Sequence, residues 1–139
     1  MFKHIVVPTD LTDRDRRAME IAVSMAVQNS SSITILHVVE TIDDADTEDF
    51  RKFYKGLGAR AVKKMDELIA QHRKSEIVIE KQILYGRRVF EILNFADLKE
   101  VDLIIMSSHR LDTDNLTEGW GTISFKVGVL SHCPVMLVK

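Results

Sequence analysis

The chain has 139 residues, of which 45% are hydrophobic, and these values fit one domain with one buried core. Its 19 Lys and Arg residues nearly balance 21 Asp and Glu residues, which argues against a dedicated nucleic-acid-binding protein. The sequence has no apolar run near the ~18 residues that cross a bilayer and no signal peptide at its N-terminus, so we expect a soluble protein. Its only cysteine cannot form an internal disulfide, which indicates a reducing compartment. We therefore expect one globular domain over residues 1–139.

The first half of the chain alternates β-branched strands with amphipathic helices. Residues 5–7 predict an apolar strand that ends at Pro8, and residues 33–39 predict a second strand. Between them a helix is predicted to begin at Thr12, where residues 12–15 resemble a capping box. Its predicted buried face, at spacings of three and four, is Ala18, Ile21, Ala22, Met25 and Ala26. The apolar face of a second predicted helix is Phe50, Phe53, Tyr54, Leu57, Ala61, Met65, Leu68 and Ile69.

The second half continues the same alternation. Three more strands are predicted at residues 77–84, 103–106 and 134–138, the first more exposed because it contains polar residues. One helix follows Gly86, and another follows a long polar loop that runs from Ser107 to about Trp120. Their predicted inward-facing residues are Val89, Ile92, Leu93 and Ala96 in the third helix, and Ile123, Val127 and Leu130 in the fourth. This order predicts an α/β fold, with a parallel sheet covered by helices on both faces, but leaves the strand order open.

Several familiar motifs are incomplete in this chain. Residues 56–61 match the letters of a dinucleotide-binding glycine fingerprint, but they lie inside a helical pattern instead of after a strand. Residues 107–109 and Cys133 lack the surroundings of a catalytic nucleophile. The acidic residues of 43–49 lack the spacing and glycine of a calcium loop, which indicates a solvated loop. An enzyme is therefore the least favoured functional class.

Two loops carry the candidate site. Asp10 directly follows the first strand, where a carboxylate can accept hydrogen bonds from ribose hydroxyls. Alternatively, Asp10 is a cap or turn residue for the next helix. Residues 121–124 open the fourth helix and offer an anion free backbone N–H groups, a hydroxyl and the positive end of the helix dipole, although they could form an ordinary N-cap. Because both loops follow parallel strands, we expect them at one edge of the sheet.

The chain resembles the universal stress protein family over essentially its whole length. The similar segments are residues 5–10, 36–38, 102–106, 121–124 and 131–138, together with Gly86 and Ala96. The resemblance implies a five-stranded, doubly wound parallel sheet in the order 3-2-1-4-5, a Rossmann-like three-layer sandwich of the adenine nucleotide alpha hydrolase-like type. It also implies a cytoplasmic homodimer that pairs through its C-terminal strand, and a role in stress adaptation without a defined reaction.

Many members of this family bind ATP or another adenine nucleotide between the loops after strands 1 and 4. Their aspartate contacts the nucleoside, main chain at the end of strand 2 meets the adenine, and a glycine loop holds the ribose and phosphates. On this chain the resemblance gives the candidate binding residues Pro8, Thr9, Asp10, Val38, Met106, Ser107, Arg110, Gly121, Thr122 and Ile123. The candidate cofactor is ATP or AMP, with Mg²⁺, and no residue is assigned to catalysis or to a protein-bound metal.

The chain departs from the family in the phosphate loop, which reads G-x-x-G, nine residues, then G-[ST]. Ser107 and Arg110 replace the two glycines, and ten residues separate Arg110 from Gly121. Glycine lets the backbone approach a phosphate closely, whereas an arginine there is bulky and strained. The guanidinium of Arg110 could pair with a phosphate, but the nearby Asp112 and Asp114 favour obstruction.

We therefore expect a dimeric stress-response binding module with a remodelled nucleotide or anion pocket. One alternative is a fully competent ATP- or AMP-binding protein that uses Asp10 and Gly121-Thr122. Another is an interaction protein that acts through its dimer surface and keeps only a vestigial pocket.

Overall fold

The computed structural model describes residues 1–42, 47–108 and 122–139. Within these residues the strands are β1 (His4–Pro8), β2 (Ser32–Glu40), β3 (Ile79–Gly86), β4 (Leu103–Ser107) and β5 (Val135–Val138). The α-helices are α1 (Arg16–Asn29), α2 (Glu48–Gln71), α3 (Arg88–Leu98) and α4 (Ile123–Leu130). Short 3₁₀ helices lie at Asp13–Asp15, before α1, and at Arg73–Ser75, after α2.

The strands form one parallel sheet in the order β3-β2-β1-β4-β5, which confirms the expected 3-2-1-4-5 arrangement. β1 lies in the middle, where Ile5 is in register with Ile33 of β2 and Leu103 of β4. The chain leaves β1 toward β2 and returns later to β4 on the opposite side. This reversal places a crevice at the carboxyl ends of β1 and β4.

Helices cover both faces of the sheet, as the sequence predicts. Ile5 and Val7 of β1 pack in a core with residues of α1 and α2, including Met19 and Met65. Val6, which points to the opposite face, packs with residues of α3 and α4 in a second core. The two cores make the predicted three-layer sandwich.

The predicted capping box at Thr12 is wrong. Thr12 lies at the N-cap position of the 3₁₀ helix, but its side chain makes no cap bond, and α1 begins only at Arg16. The Thr12 hydroxyl donates instead to the Asp10 carboxylate, so the side chain is used within the loop. On α1, Met19 is buried, whereas the predicted core residues Ile21 and Met25 are only half-buried.

Three predicted core positions are wrong, because their side chains are exposed. Phe50 and Phe53 in the first turns of α2 are 40% and 55% exposed, and Leu130 at the end of α4 is exposed as well. The two phenylalanine rings pack against Tyr54 instead of the sheet. The Tyr54 hydroxyl accepts a hydrogen bond from the Ile42 amide at 3.0 Å, so this aromatic group is tied to the segment that follows β2.

The structure supports the rejection of the dinucleotide fingerprint, because residues 56–61 lie inside α2. Most of the predicted polar loop, at residues 109–120, lies outside the described residues, as do residues 43–46 of the acidic segment. Among the described helices, none is long and apolar enough to cross a membrane.

Candidate functional site

A cleft of about 560 Å³ opens at the carboxyl ends of β1 and β4, where the strand order reverses. Eight of the ten predicted site residues are described by the structure, and all eight line this cleft: Pro8, Thr9, Asp10, Val38, Met106, Ser107, Thr122 and Ile123. The other two, Arg110 and Gly121, lie outside the described residues. The fold thus brings together residues of β1, β2, β4 and the start of α4 that are far apart in the sequence.

The floor of the cleft is apolar. Buried side chains from three strands and from α3 form it: Leu36, Val38, Ile92, Met106 and Val138. Small-molecule sites typically combine such an apolar lining with a few placed polar groups, in cavities of about 300–1,000 Å³. The size and floor of this cleft therefore suit a small ligand that has an apolar part.

Asp10 is held in a turn at the rim of the cleft. Its Oδ1 accepts hydrogen bonds from the Thr12 amide at 2.9 Å and from the Thr12 hydroxyl, and Arg14 Nη2 lies 3.2 Å from its Oδ2. Burial opposes ionisation, but the bonds from Thr12, with Asp15 and Arg14, hold the pKa of Asp10 below its ordinary value. Asp10 is therefore an ionised acceptor that keeps 34% of its side chain exposed. The turn alternative is confirmed, and it leaves room for a ligand contact.

Asp15 is a functional candidate that the sequence alone does not reveal. It lines the cleft with only 8% of its surface exposed. Its Oδ2 accepts hydrogen bonds from Thr9 Oγ1 at 2.7 Å and from the Asp10 amide at 2.9 Å. Burial raises the pKa of Asp15, although the hydroxyls of Thr9 and Ser107 act against that rise. In the sequence, Asp15 resembles an ordinary first-turn acid, and nothing local indicates that it is buried.

Hydroxyl groups gather at the N-terminus of α4. Thr122 is the N-cap, since its Oγ1 accepts from the Phe125 amide at 3.3 Å, which confirms the cap alternative for this residue. The buried Ser124 hydroxyl donates to Ser108 Oγ at 3.2 Å, and Lys139 Nζ donates to the same oxygen at 3.3 Å. We call Ser108, Thr122 and Ser124 the hydroxyl cluster. Together with Lys139, this cluster places hydroxyl groups and a cation beside the positive end of the α4 dipole.

Ser107, for which the resemblance implies a glycine in the family, joins the two loops. Its hydroxyl donates to the Arg14 carbonyl at 3.1 Å, which links the end of β4 to the 3₁₀ helix. A glycine at this position would lack that bond. Ser107 therefore helps to hold this edge of the cleft together.

The charged side chains of the cleft favour an anion. The described lining residues include four cations, Arg14, Arg17, Arg88 and Lys139, against the two carboxylates Asp10 and Asp15. Two of the cations are partly neutralised: Arg14 pairs with Asp10, and Arg88 Nε lies 3.6 Å from Glu40 Oε1. No local sequence pattern places these cations at one site, because only folding brings residues 14, 17, 88 and 139 together.

Comparisons with known proteins agree with this architecture. A universal stress protein in complex with cAMP has a TM-score of 0.79 and 20% identity, with 99% of this chain and 97% of that chain covered. The universal stress protein from Archaeoglobus fulgidus in complex with dAMP has a TM-score of 0.72 and 19% identity, with 99% of this chain and 98% of that chain covered. Both are similar in fold.

Sequence comparison supplies the family. The universal stress protein YxiE of Bacillus subtilis is 27% identical to this chain over 155 aligned positions that cover all of both proteins. The model of the universal stress protein family matches residues 1–139, which includes every strand of the sheet and every described residue of the cleft. The resemblance seen in the sequence is therefore confirmed, and the chain belongs to the universal stress protein family.

Proposed function

We propose that this protein is a stress-response binding module that takes an adenine nucleotide in the cleft at the ends of β1 and β4. The observation that carries the proposal is the convergence of eight predicted site residues on one cleft of about 560 Å³. The cleft has an apolar floor for a base and an excess of cations for phosphates. Two solved relatives with the same fold hold cAMP and dAMP, which supports this ligand class.

The three parts of a nucleotide match three parts of the cleft. The adenine ring fits the apolar floor near Val38 and Met106. The ribose hydroxyls can donate to Asp10, which is an ionised acceptor at the rim. The phosphates fit the hydroxyl cluster at the α4 N-terminus, where backbone N–H groups and the helix dipole favour negative charge.

We further propose that the phosphate end is remodelled relative to the family pattern. Ser107 holds the loop through the Arg14 carbonyl, and Arg17 and Lys139 bring side-chain charge to the cleft. Side-chain cations can therefore replace part of the backbone contact that a glycine loop gives. The role of Arg110 rests on the sequence alone, and obstruction of the cleft is the prediction that we retain.

The proposal is one of binding without catalysis. The carboxylates that line the cleft, Asp10 and Asp15, both accept hydrogen bonds that hold their own loop. The Ser107 hydroxyl donates to a backbone carbonyl, which makes it a connecting group. These groups hold the site in shape, so the contacts suit a preformed site that binds a ligand without reacting with it.

We also propose that the protein works as a homodimer that pairs through β5. β5 is an edge strand of sequence VMLV, and Leu137 on it is exposed together with Val129 and Leu130 of the neighbouring α4. The opposite edge strand, β3, carries Glu80 and Lys81, and charged residues discourage pairing between edges. The apolar edge is therefore the one suited to a second copy.

Ligand titration tests the nucleotide proposal. ATP, AMP and cAMP, each with and without Mg²⁺, should raise the thermal midpoint, because a ligand that binds only the folded state stabilises it. Asp10→Ala should reduce the rise. Tripolyphosphate separates nucleotide recognition from charge alone, and a rise equal to that with ATP would contradict an adenine site.

Arg110→Gly tests the remodelled phosphate end. If Arg110 obstructs the cleft, the glycine variant should bind ATP more tightly than the wild type, because close backbone approach is restored. A charge-assisted contact to phosphate would give the opposite result, a loss of roughly ten- to hundredfold in affinity. Calorimetric titration of both proteins with ATP and Mg²⁺ decides between the two.

A further inference from the structure

A buried carboxylate lies directly behind the loop that carries Asp10. Asp15 ends the 3₁₀ helix and is 8% exposed, whereas Asp13 in the same short helix is exposed. A buried carboxylate is unfavourable unless hydrogen bonds replace its lost hydration. Asp15 Oδ2 accepts hydrogen bonds from the Thr9 hydroxyl and the Asp10 amide, which both belong to the loop after β1. The Ser107 hydroxyl, at the end of β4, also favours the ionised form of Asp15.

These bonds fix three consecutive residues. Thr9 Oγ1 donates to Asp15 and also accepts a hydrogen bond from the Leu11 amide at 2.9 Å. Leu11 has a φ of 64°, in the left-handed region that leucine rarely adopts. Such a conformation persists where surrounding contacts hold it in place. Asp15 is therefore at the base of a network that reaches residues 9, 10 and 11, while the Leu36 carbonyl and His37 hold the Thr9 backbone from β2.

The same network sets the direction of the Asp10 side chain. The Asp10 amide donates to Asp15, and the Asp10 carboxylate accepts from Thr12 two residues later. With its backbone fixed on one side and its side chain fixed on the other, Asp10 is presented at the rim of the cleft. A group that holds a ligand contact in position acts through geometry and need not touch the ligand.

We propose that Asp15 is the positioning residue of this cleft: by accepting hydrogen bonds from Thr9 and Asp10, it holds the loop after β1 in the conformation that presents Asp10 to the ligand. The inference rests on the proposed nucleotide binding and deepens it. The competing explanation is that Asp15 only stabilises the beginning of α1, in which case its loss would lower stability and leave the affinity of the folded protein unchanged.

The test uses two variants of Asp15 and one control. Asp15→Ala removes both acceptor oxygens, whereas Asp15→Asn keeps one oxygen that can accept both bonds. Asp13→Ala is the matched control, because Asp13 is an exposed aspartate two residues earlier in the same 3₁₀ helix. If Asp15→Ala does not fold, Thr9→Val removes one of the same hydrogen bonds from the donor side.

The first measurement needs no ligand. Amide hydrogen exchange should become about tenfold faster at Asp10 and Leu11 in Asp15→Ala, since the bonds that hold them are lost or weakened. Exchange at Ile104, in the middle of the sheet, should stay unchanged, as it should at all three sites in Asp13→Ala. Unchanged exchange at Asp10 and Leu11 in Asp15→Ala, or in Thr9→Val where that variant replaces it, would overturn the proposal.

The second measurement is the Kd of AMP, by calorimetry at a temperature at which every variant is folded. We expect about a tenfold weaker affinity in Asp15→Ala, or in Thr9→Val in its place, and rescue to within about threefold of the wild type in Asp15→Asn. Wild-type affinity in Asp15→Ala, or an equal loss in Asp15→Asn and Asp15→Ala, would overturn the positioning role.

The two measurements separate this inference from the proposed function. A wild-type protein that binds neither AMP, ATP nor cAMP overturns the proposed function and the ligand-presenting part of the inference with it. The exchange data then still decide whether Asp15 holds the loop. A wild-type protein that binds AMP, with normal affinity in Asp15→Ala, overturns the positioning role alone.

Discussion

Asp10 and Asp15 belong to one loop, yet their surroundings move their pKa values in opposite directions. Burial acts to raise the pKa of the partly exposed Asp10. The hydrogen bonds from Thr12 and the charge of Arg14 outweigh this effect, so that the pKa is lowered. Burial dominates at Asp15 and raises its pKa, despite the hydrogen bonds that it accepts. The two carboxylates therefore make opposite contributions to the pH dependence of folding.

Asp10→Asn should lower stability more near pH 7 than near about pH 3. The folded-state pKa of Asp10 lies below its ordinary value of 3.8, so ionised Asp10 stabilises the fold above that value. This contribution disappears as the pH falls through the folded-state pKa. Urea unfolding of both proteins at the two pH values measures the difference, and an equal loss at both would contradict the assignment.

Asp15→Asn should show the opposite trend. Because the pKa of Asp15 is raised, its contribution to stability is fully present below its ordinary value and is lost as the pH rises through the folded-state pKa. The neutral asparagine does not titrate, so the stability of the variant relative to the wild type should increase from about pH 3 to about pH 7. The same urea series measures this trend, and a relative stability that falls would show that hydrogen bonding to the ionised form outweighs burial.

At the scale of the elements, Gly86 allows the turn from β3 to α3. Its φ is +149°, and a Cβ atom there would lie 2.7 Å from Glu91 Oε1. The glutamate can move, but the backbone strain remains, so Gly86→Ala should lower the free energy of unfolding by about 1–3 kcal/mol. Chemical denaturation measures the change, and stability equal to that of the wild type would contradict the backbone argument.

Gly56 within α2 is the matched control. A Cβ atom there would contact only Arg60 Nη2, at 3.8 Å, among atoms outside the local helix backbone. Because alanine favours a helix by about 1 kcal/mol over glycine, Gly56→Ala should raise stability by up to that amount. Effects of opposite sign at the two glycines would separate a conformational requirement from helix propensity.

The strands and helices could be predicted from the sequence because their apolar periodicity is local. The strand order needed the resemblance, since periodicity does not specify which strands pair. The start of α1 was predicted too early, because a local pattern does not reveal that the Thr12 hydroxyl bonds to Asp10. The same limit applies to Phe50 and Phe53, whose apolar spacing suits a core although they pack on Tyr54.

The residues of the site also divide into those that the sequence predicts and those that it does not. Asp10, Thr122 and their neighbours could be predicted because each follows a strand or opens a helix, and the structure brings them to one cleft. Asp15 could not be recognised, because its burial depends on the packing of the loop after β1. Arg17, Arg88 and Lys139 come from three distant segments, so their shared location depends on the complete fold.

At the scale of the whole molecule, the proposed dimer depends on an apolar edge. Light scattering should give twice the chain mass of 15.9 kDa for the wild type at micromolar concentration. Leu137→Lys should shift the protein to the monomer mass, because it places a charge on the β5 edge. A wild-type mass of 15.9 kDa would contradict the dimer.

The control for the dimer experiment is Val78→Lys. Val78 is 61% exposed and lies just before β3, at the opposite edge of the sheet, so the same charge there should leave the mass unchanged. If both lysine variants dissociate the dimer, a general charge effect replaces the β5 interface as the explanation.

The central position of β1 has a consequence for biosynthesis. A ribosome makes β1 first and β2 soon after, but Ile5 must also pair with Leu103, which is encoded about a hundred residues later. At a synthesis rate of about 5–20 residues per second, the β4 side of β1 stays unpaired for roughly 5–20 seconds. Open apolar edges can pair with other chains, so we expect this edge to be an aggregation site of the nascent protein during that interval. A strand that the finished fold buries on both faces is thus a point of exposure while the chain is still being made.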